Sequence, residues 1–189
     1  MITGIVLAAG AGTRLGQPKA EVTVGGQRLL DRAVGTLRAG GCDEVLAVVR
    51  AETVTASGAR TVVNPLADTG MGSSVRAGLA ALDPDTECIV ITLVDLPDVR
   101  PDDIRAAIGW YRNGASVIVT RRAGERSHPV LISRRWFRLF GEAAEGDQGG
   151  RRFFAQHYED IDFIDHNAPV VDIDTPADLA AAERRFAAR

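Results

Sequence analysis

Apolar residues along the chain fall into short runs rich in Val and Ile, separated by longer segments in which apolar positions recur every three or four residues. The short runs read as buried strands, and the three-to-four spacing reads as helices that turn one face toward a core. The pattern predicts strands over 3–8, 44–49, 60–63, 88–94, 115–120, 129–132 and 170–173. It predicts helices over 29–38, 72–82, 102–111, 151–156 and 176–187, with Gly40 and Gly41 closing the first as a C-cap. Strands alternating with helices are the mark of βαβ units. The expected fold is α/β: a three-layer α/β/α arrangement around a mainly parallel, twisted, Rossmann-like sheet. No repeat, low-complexity tract or linker breaks the series, so one domain is expected over residues 1–189. The acidic, glycine-rich stretch 141–150 reads as a surface loop within it.

Composition narrows function more than it changes the fold. A net charge of −3 with mixed signs and no polybasic run argues against a nucleic-acid binder, whose affinity rests on a basic face. Cys42 and Cys88 have neither metal-ligand spacing nor the density of a disulfide scaffold, and the first strand begins too early for a signal peptide. A cytoplasmic protein with no membrane partner is expected. One count is sharper than the totals: of 22 basic residues, Lys19 is the only lysine. A chain that uses arginine wherever surface charge suffices has kept a compact ammonium inside a glycine-rich loop.

In open α/β sheets ligands sit beyond the carboxyl ends of the strands, so the loops after strands carry the chemistry. The first reads LAAGAGTRLGQPK, residues 7–19. It fails the dinucleotide fingerprint G-x-G-x-x-G, because after Gly10 and Gly12 the third glycine comes one position late at Gly16, and no Gly-Lys-Ser/Thr of a Walker loop follows. What remains is a flexible loop whose N–H groups can point inward, with Arg14 and Lys19 as cations: a cradle for a polyphosphate.

The second loop, from Asn64, runs into Gly72, Ser73 and Ser74 before an apolar helix. One serine is a natural N-cap; the other hydroxyl and Asn64 are neutral groups suited to reading a nucleobase edge. In the third loop Asp95 ends an almost wholly apolar strand, where a carboxylate is costly unless paired or bound to a cation, while Asp98 reads as a cap for the helix near Pro101. Mg²⁺ takes few protein carboxylates plus phosphate oxygens, which suits an acid facing a phosphate loop. In the fourth, Thr175, Pro176 and Asp178 form a capping box, whereas Asp172 and Asp174, two apart on an expected strand, share a face and offer a second carboxylate beside Asp95.

With these loops quoted, the chain resembles the nucleotidyltransferases of molybdenum cofactor maturation, most closely the cytidylyltransferases. The resemblance rests on LAAGAGTRLGQPK, then GMGSSVRAGL (70–79), DLP (95–97), HPVLI (128–132), GDQGGR (146–151) and DIDTPADL (172–179), in that order over nearly the whole chain. It implies that Leu7, Ala8, Ala9, Gly10, Gly12 and Thr13 hold the nucleotide, that Arg14 and Lys19 act on the triphosphate, and that Asn64 with Ser73 or Ser74 meets the base. It implies Mg²⁺ on Asp95 with Asp172 or Asp174. His128, Asp147 and Arg151 would face a phosphorylated pterin-type acceptor, and maturation proteins of molybdoenzymes would be partners. The guanylyl branch usually carries LAGG, so Ala9 favours CTP over GTP.

The activity so implied is Mg²⁺-dependent transfer of CMP to the terminal phosphate of the acceptor, with release of pyrophosphate. The acceptor phosphate is itself the nucleophile, so alignment and charge neutralisation carry the reaction without a general base. Three alternatives differ in chemistry: transfer from GTP or to another phosphorylated acceptor, an NAD(P)H-dependent reductase of heterocycle catabolism, and a nucleotide-binding module without catalysis. The reductase needs an acidic ribose partner about 20 residues beyond the glycines. Asp31 lies near that spacing but inside an expected helix.

Overall fold

The structure, a computed structural model, describes residues 1–169 and 171–188. Strand β1 (Ile2–Leu7) is buried along its whole length. A minimal hairpin of β2 (Thr23–Val24) and β3 (Gln27–Arg28) leads into helix α1 (Leu29–Ala39), which ends with Gly40 at the C-cap and Gly41 at φ 104°. There follow β4 (Glu44–Val49), β5 (Arg60–Val63), α2 (Met71–Ala80), β6 (Cys88–Leu93) and α3 (Pro101–Arg112). The chain continues through β7 (Val117–Arg122), β8 (Glu125–Ser133), α4 (Phe137–Ala143), α5 (Arg151–Gln156), β9 (Asp162–His166) and α6 (Pro176–Ala187).

Seven strands form one sheet in the order β5-β4-β1-β6-β8-β7-β9. β5, β4, β1 and β6 run parallel, β8 is antiparallel to both β6 and β7, and β9 is parallel to β7. Successive side chains of β1 point to opposite faces, as strand pleating demands. Val6 enters a core with Leu30, Val34, Ile104 and Ala182, while Ile5 enters a second core with Val75, Phe140 and Phe153. Helices therefore cover both faces, as the α/β/α expectation has it. Each fully buried aliphatic or aromatic side chain contributes about 1.5–3 kcal/mol.

Five local expectations are corrected. The strand expected over 170–173 does not form at 171–173, and Val170 lies outside the described residues. Ile173 donates its N–H to Asp95 O at 3.1 Å and buries its side chain completely, without strand pairing at 171–173, so Asp172 and Asp174 do not share a strand face. The sheet gains β9 instead. No serine caps α2: Gly70 stands at its N-cap, and Ser73 donates its hydroxyl back to the carbonyls of Leu66 and Gly70, each at 2.8 Å. Asp98 is not the cap of α3: Arg100 stands at the N-cap, its N–H donating to Asp103 Oδ2, and Asp98 accepts from Arg185 Nη2 at 3.0 Å. The separate strands expected at 115–120 and 129–132 are the two arms of one hairpin, β7 and β8, turned through Ala123 and Gly124, so His128 lies within a strand rather than at its start.

Fifth, the stretch 141–150 is partly helix and partly packed. Ala143 ends α4, and Ala144 is fully buried against the start of α2. A Cβ on Gly72 would come within 2.6 Å of Ala144 O, and one on Gly70 within 2.3 Å of Gly146 C. The two glycines of GMGSS thus let this segment lie directly on the helix. Among the described residues, no helix is long and apolar enough to cross a membrane.

Candidate active site

The strand order reverses at β1: the chain winds outward through β4 and β5, then returns to the other side of β1 as β6. Beyond the carboxyl ends of β1 and β6 lies the crevice where such sheets bind ligands. β1 and β6 stay paired to their tips, with Val94 N–H donating to Leu7 O at 3.2 Å. Loop 8–18 then departs. Its first amide, Ala8, is spent on Val48 O at 2.8 Å, but among the described residues no amide of 9–14 bonds another backbone carbonyl. Gly12 turns the loop at φ 61°, where a Cβ would sit 1.9 Å from Gln17 O.

The loop delivers Lys19 at the start of a short 3₁₀ turn anchored by buried Ala20. Lys19 Nζ donates to Asp95 Oδ2 at 2.5 Å and also to Asp174 Oδ1. Its side chain is 17% exposed and that of Asp95 13%. Burial pulls the Lys19 pKa down, but Asp95 and then Asp174 outweigh it, and the ammonium is held above its ordinary value. Asp95 reaches this position because β6, apolar but for Thr92, is buried up to its tip, and Asp174 because Ile173 is pinned under Asp95 O. Asp172, beside them, is raised by burial and then by the negative charge of Asp95 and Asp174.

Two confluent cavities open here. One, of about 260 Å³, is lined by Ala9, Gly10, Lys19, Arg50, Ser74 and Asp95. The other, of about 530 Å³, has an apolar floor that includes Leu96, Phe140 and Phe154, and a polar rim of Arg126, His128, Arg151 and Asp172. Leu7, Met71, Leu93 and Asp147 border both. The larger lies in the size range of small-molecule sites. His128 is half-buried on β8; its Nδ1 meets Ile91 O at 3.2 Å, and burial lowers its pKa, which keeps the imidazole neutral.

The remaining candidates stand around these cavities. Asn64 and Ser73 are buried behind the wall, where Asn64 Nδ2 donates to Ser73 Oγ at 2.8 Å and to Ser74 Oγ at 3.0 Å, bracing the one serine that lines the smaller cavity. Ala8 is likewise buried, and Thr13 and Arg14 lie exposed on the outer turn of the loop. Arg50, on the wall of the smaller cavity, belongs to none of the sequence motifs. It donates Nε to Ala9 O at 3.2 Å and Nη1 to Asp68 Oδ1 at 2.7 Å, tying the first loop to the second. The signal for it exists: like Asp95, it follows an apolar strand directly.

A divalent cation fits the donor set. Asp95 Oδ1 is buried without a hydrogen-bond partner among the described residues. Two more carboxylates stand near, all hard oxygen donors. Among the described residues no group of three His, Cys, Asp or Glu is already assembled to hold a metal.

Residues 4–161 match the MobA-like NTP transferase domain. Nicotine blue oxidoreductase of Paenarthrobacter nicotinovorans is 35% identical over 177 residues, covering 87% of this chain and 86% of that protein. The 2-C-methyl-D-erythritol 4-phosphate cytidylyltransferase of Rhodococcus opacus (strain B4) is 41% identical over 126 residues, covering 62% of this chain and 54% of the enzyme. Among solved structures, the manganese complex of Rv0371c from Mycobacterium tuberculosis H37Rv superposes with a TM-score of 0.79 at 27% identity, covering 97% of this chain and 98% of that one.

Proposed function

The chain belongs to the MobA-like NTP transferase family and is a nucleotidyltransferase; from that premise we propose that it transfers CMP from CTP to the terminal phosphate of a molybdopterin-type acceptor, as one domain over residues 1–189. The observation that carries the reading is the contact of Lys19 with Asp95 on the wall of the smaller cavity, which shares Leu7, Met71, Leu93 and Asp147 with the larger one. It sets a cation and a carboxylate at one point between a glycine loop and a pocket of acceptor size.

CTP would lie in the smaller cavity, its phosphates against the amides of Gly10 to Thr13 and the ammonium of Lys19, with Ser74 turned to the base. Ala9 and the cytidylyltransferase relative support cytosine. The acceptor would take the larger cavity, its body on the apolar floor and its polar groups toward His128, Asp147 and Arg151. A phosphate oxygen of the acceptor then forms a bond to the α-phosphorus of CTP as the bond to the β-phosphate breaks, and pyrophosphate leaves with the electron pair. Lys19, with Arg14 at the loop's outer turn, neutralises charge on the phosphates. Asp95 with Asp172 or Asp174 would hold Mg²⁺, which supplies Lewis-acid neutralisation of the triphosphate.

Purified protein given CTP, Mg²⁺ and molybdopterin should release pyrophosphate, and Lys19→Ala should lower turnover by roughly 10²–10³-fold. Absence of pyrophosphate with every nucleoside triphosphate overturns the reading. One finding favours a reductase instead: the 35% identity to nicotine blue oxidoreductase. Against it, Asp31 is taken by Arg28, at 3.0 Å to Nε and 2.9 Å to Nη2, and cannot serve a ribose without breaking that pair. Oxidation of NADPH in the same assay would decide for the reductase.

A further inference from the structure

Lys19 uses the same carboxylates that a metal would use. Its ammonium bonds both Asp95 and Asp174, which lie 76 and 155 residues further along the chain, and it is the only lysine the protein has. We infer that Lys19 is an interlock on the cation site: it bars a bare divalent ion from Asp95 and Asp174, and it yields them when a triphosphate draws the ammonium away, so that metal and nucleotide bind as one unit. The inference rests on reading Asp95 and Asp174 as metal ligands.

The physical case is one of competing charges. A divalent ion seated between Asp95 and Asp174 would stand within a few ångströms of the ammonium, and in a partly buried site that repulsion is far less screened than in water. To bind alone, the ion must displace Lys19 from both hydrogen-bonded carboxylates, leaving the ammonium only the more distant charges of Asp172 and Asp178, while shedding water that Mg²⁺ gives up reluctantly. A triphosphate removes both obstacles. Its oxygens offer the ammonium new partners in the adjoining cavity, which Lys19 and Asp95 both line. They also complete the ion's shell. Among the described residues Asp95 Oδ1 has no hydrogen-bond partner, so one ligand atom stands ready while the others are released by the nucleotide. Linkage makes the effect reciprocal: whatever factor CTP contributes to metal affinity, the metal contributes to CTP affinity. The consequence for the enzyme is that Mg²⁺ at cellular concentration would not occupy the acidic site ahead of its substrate.

The lone lysine makes the test direct. With ¹³C-lysine labelling, Lys19 gives the only ε-methylene resonance of the chain. Mg²⁺ alone should leave that resonance in place, CTP should move it, and CTP with Mg²⁺ should move it at a tenfold or lower CTP concentration. A full shift on Mg²⁺ alone overturns the interlock. In parallel, Mn²⁺ binding without nucleotide, read from the electron paramagnetic resonance signal of the free ion, should be at least tenfold tighter in Lys19→Met than in the natural protein. Equal affinities overturn the interlock and leave the metal reading standing. If neither protein binds Mn²⁺, with or without CTP, the metal reading falls and takes the interlock with it. Lys19→Gln repeats the comparison should the methionine variant fail to fold, and the resonance measurement needs no variant.

Discussion

Arg122 and Asp103 form an ion pair deep under α3: Nη2 to Oδ2 is 2.6 Å, and the two side chains are 9% and 7% exposed. The pair ties β7 to the first turn of α3, where Asp103 also accepts the Arg100 N–H at 2.8 Å. His166 of β9 approaches the same carboxylate at 3.5 Å. Three elements thus depend on one buried acid.

Removing one partner of a buried pair leaves an uncompensated charge and typically costs about 3–5 kcal/mol. Arg122→Met should therefore destabilise the protein by that amount in urea unfolding. The double variant Arg122→Met with Asp103→Asn should recover at least half of it, because no bare charge remains and the amide oxygen can still accept from Arg100. A double variant as unstable as the single one would mean that the cost lies in packing rather than charge.

Gly12→Ala should damage binding more than stability. The residue has a positive φ, and its Cβ would strike Gln17 O. The loop it turns is largely exposed, so little core depends on it. The expected result is a loss of more than tenfold in CTP affinity by titration calorimetry, with the urea midpoint almost unmoved. Unchanged affinity would remove this loop from the nucleotide site.

Arg50 clamps the glycine loop to the loop after β5 by two hydrogen bonds, and bonds from a charged donor are worth about 1.5–3 kcal/mol. With part of that lost to solvent, Arg50→Ala should weaken CTP binding by about tenfold. Arg50→Lys should not restore it, since an ammonium cannot span Ala9 O and Asp68 as a planar fork does. Asp68→Ala serves as the comparison, its side chain being 84% exposed, and should change affinity less than threefold.

Cys42 and Cys88 are inert as folded. Burial pushes both thiols up from 9.0 to about 12, Cys42 helped by Cys88 and Asp43, Cys88 by Glu87. At pH 8 a thiol reagent such as Ellman's should label neither in the native protein and both in denaturant. The linkage has a definite sign. Between pH 9 and about 12 the unfolded chain gives up thiol protons that the folded chain keeps, so stability contributed by these groups is present below pH 9 and declines as pH rises through that window. Replacing both by alanine should flatten the decline in urea midpoint across it.

Much of the fold was legible because parallel strands are buried on both faces. β1, β4 and β6 are mostly apolar runs, broken only by Thr3 and Gly4, Glu44 and Thr92, and β4 and β5 fall at the expected bounds. β9 escaped for the opposite reason. It is an edge strand, DFIDH, only partly buried along its length, whose Asp165 pairs with Arg121 at 2.7 Å while Phe163 lies under the same guanidinium and His166 turns to Asp103. Its order comes from a neighbour, not from its own periodicity. β2 and β3 are two residues each, too short to leave a pattern.

The sequence by itself determined the layered α/β sheet, the capping box of Thr175 and Asp178, and the placement of chemistry on strand ends, because apolar period, turn chemistry and caps are local. It also singled out Lys19 and Asp95. Only the tertiary structure decided what those residues do to one another. That Asp174 turns to Lys19, that Asn64 spends itself on two serines, and that Arg50 joins two loops are outcomes of chain crossing and close packing between segments far apart in sequence, which no local pattern encodes.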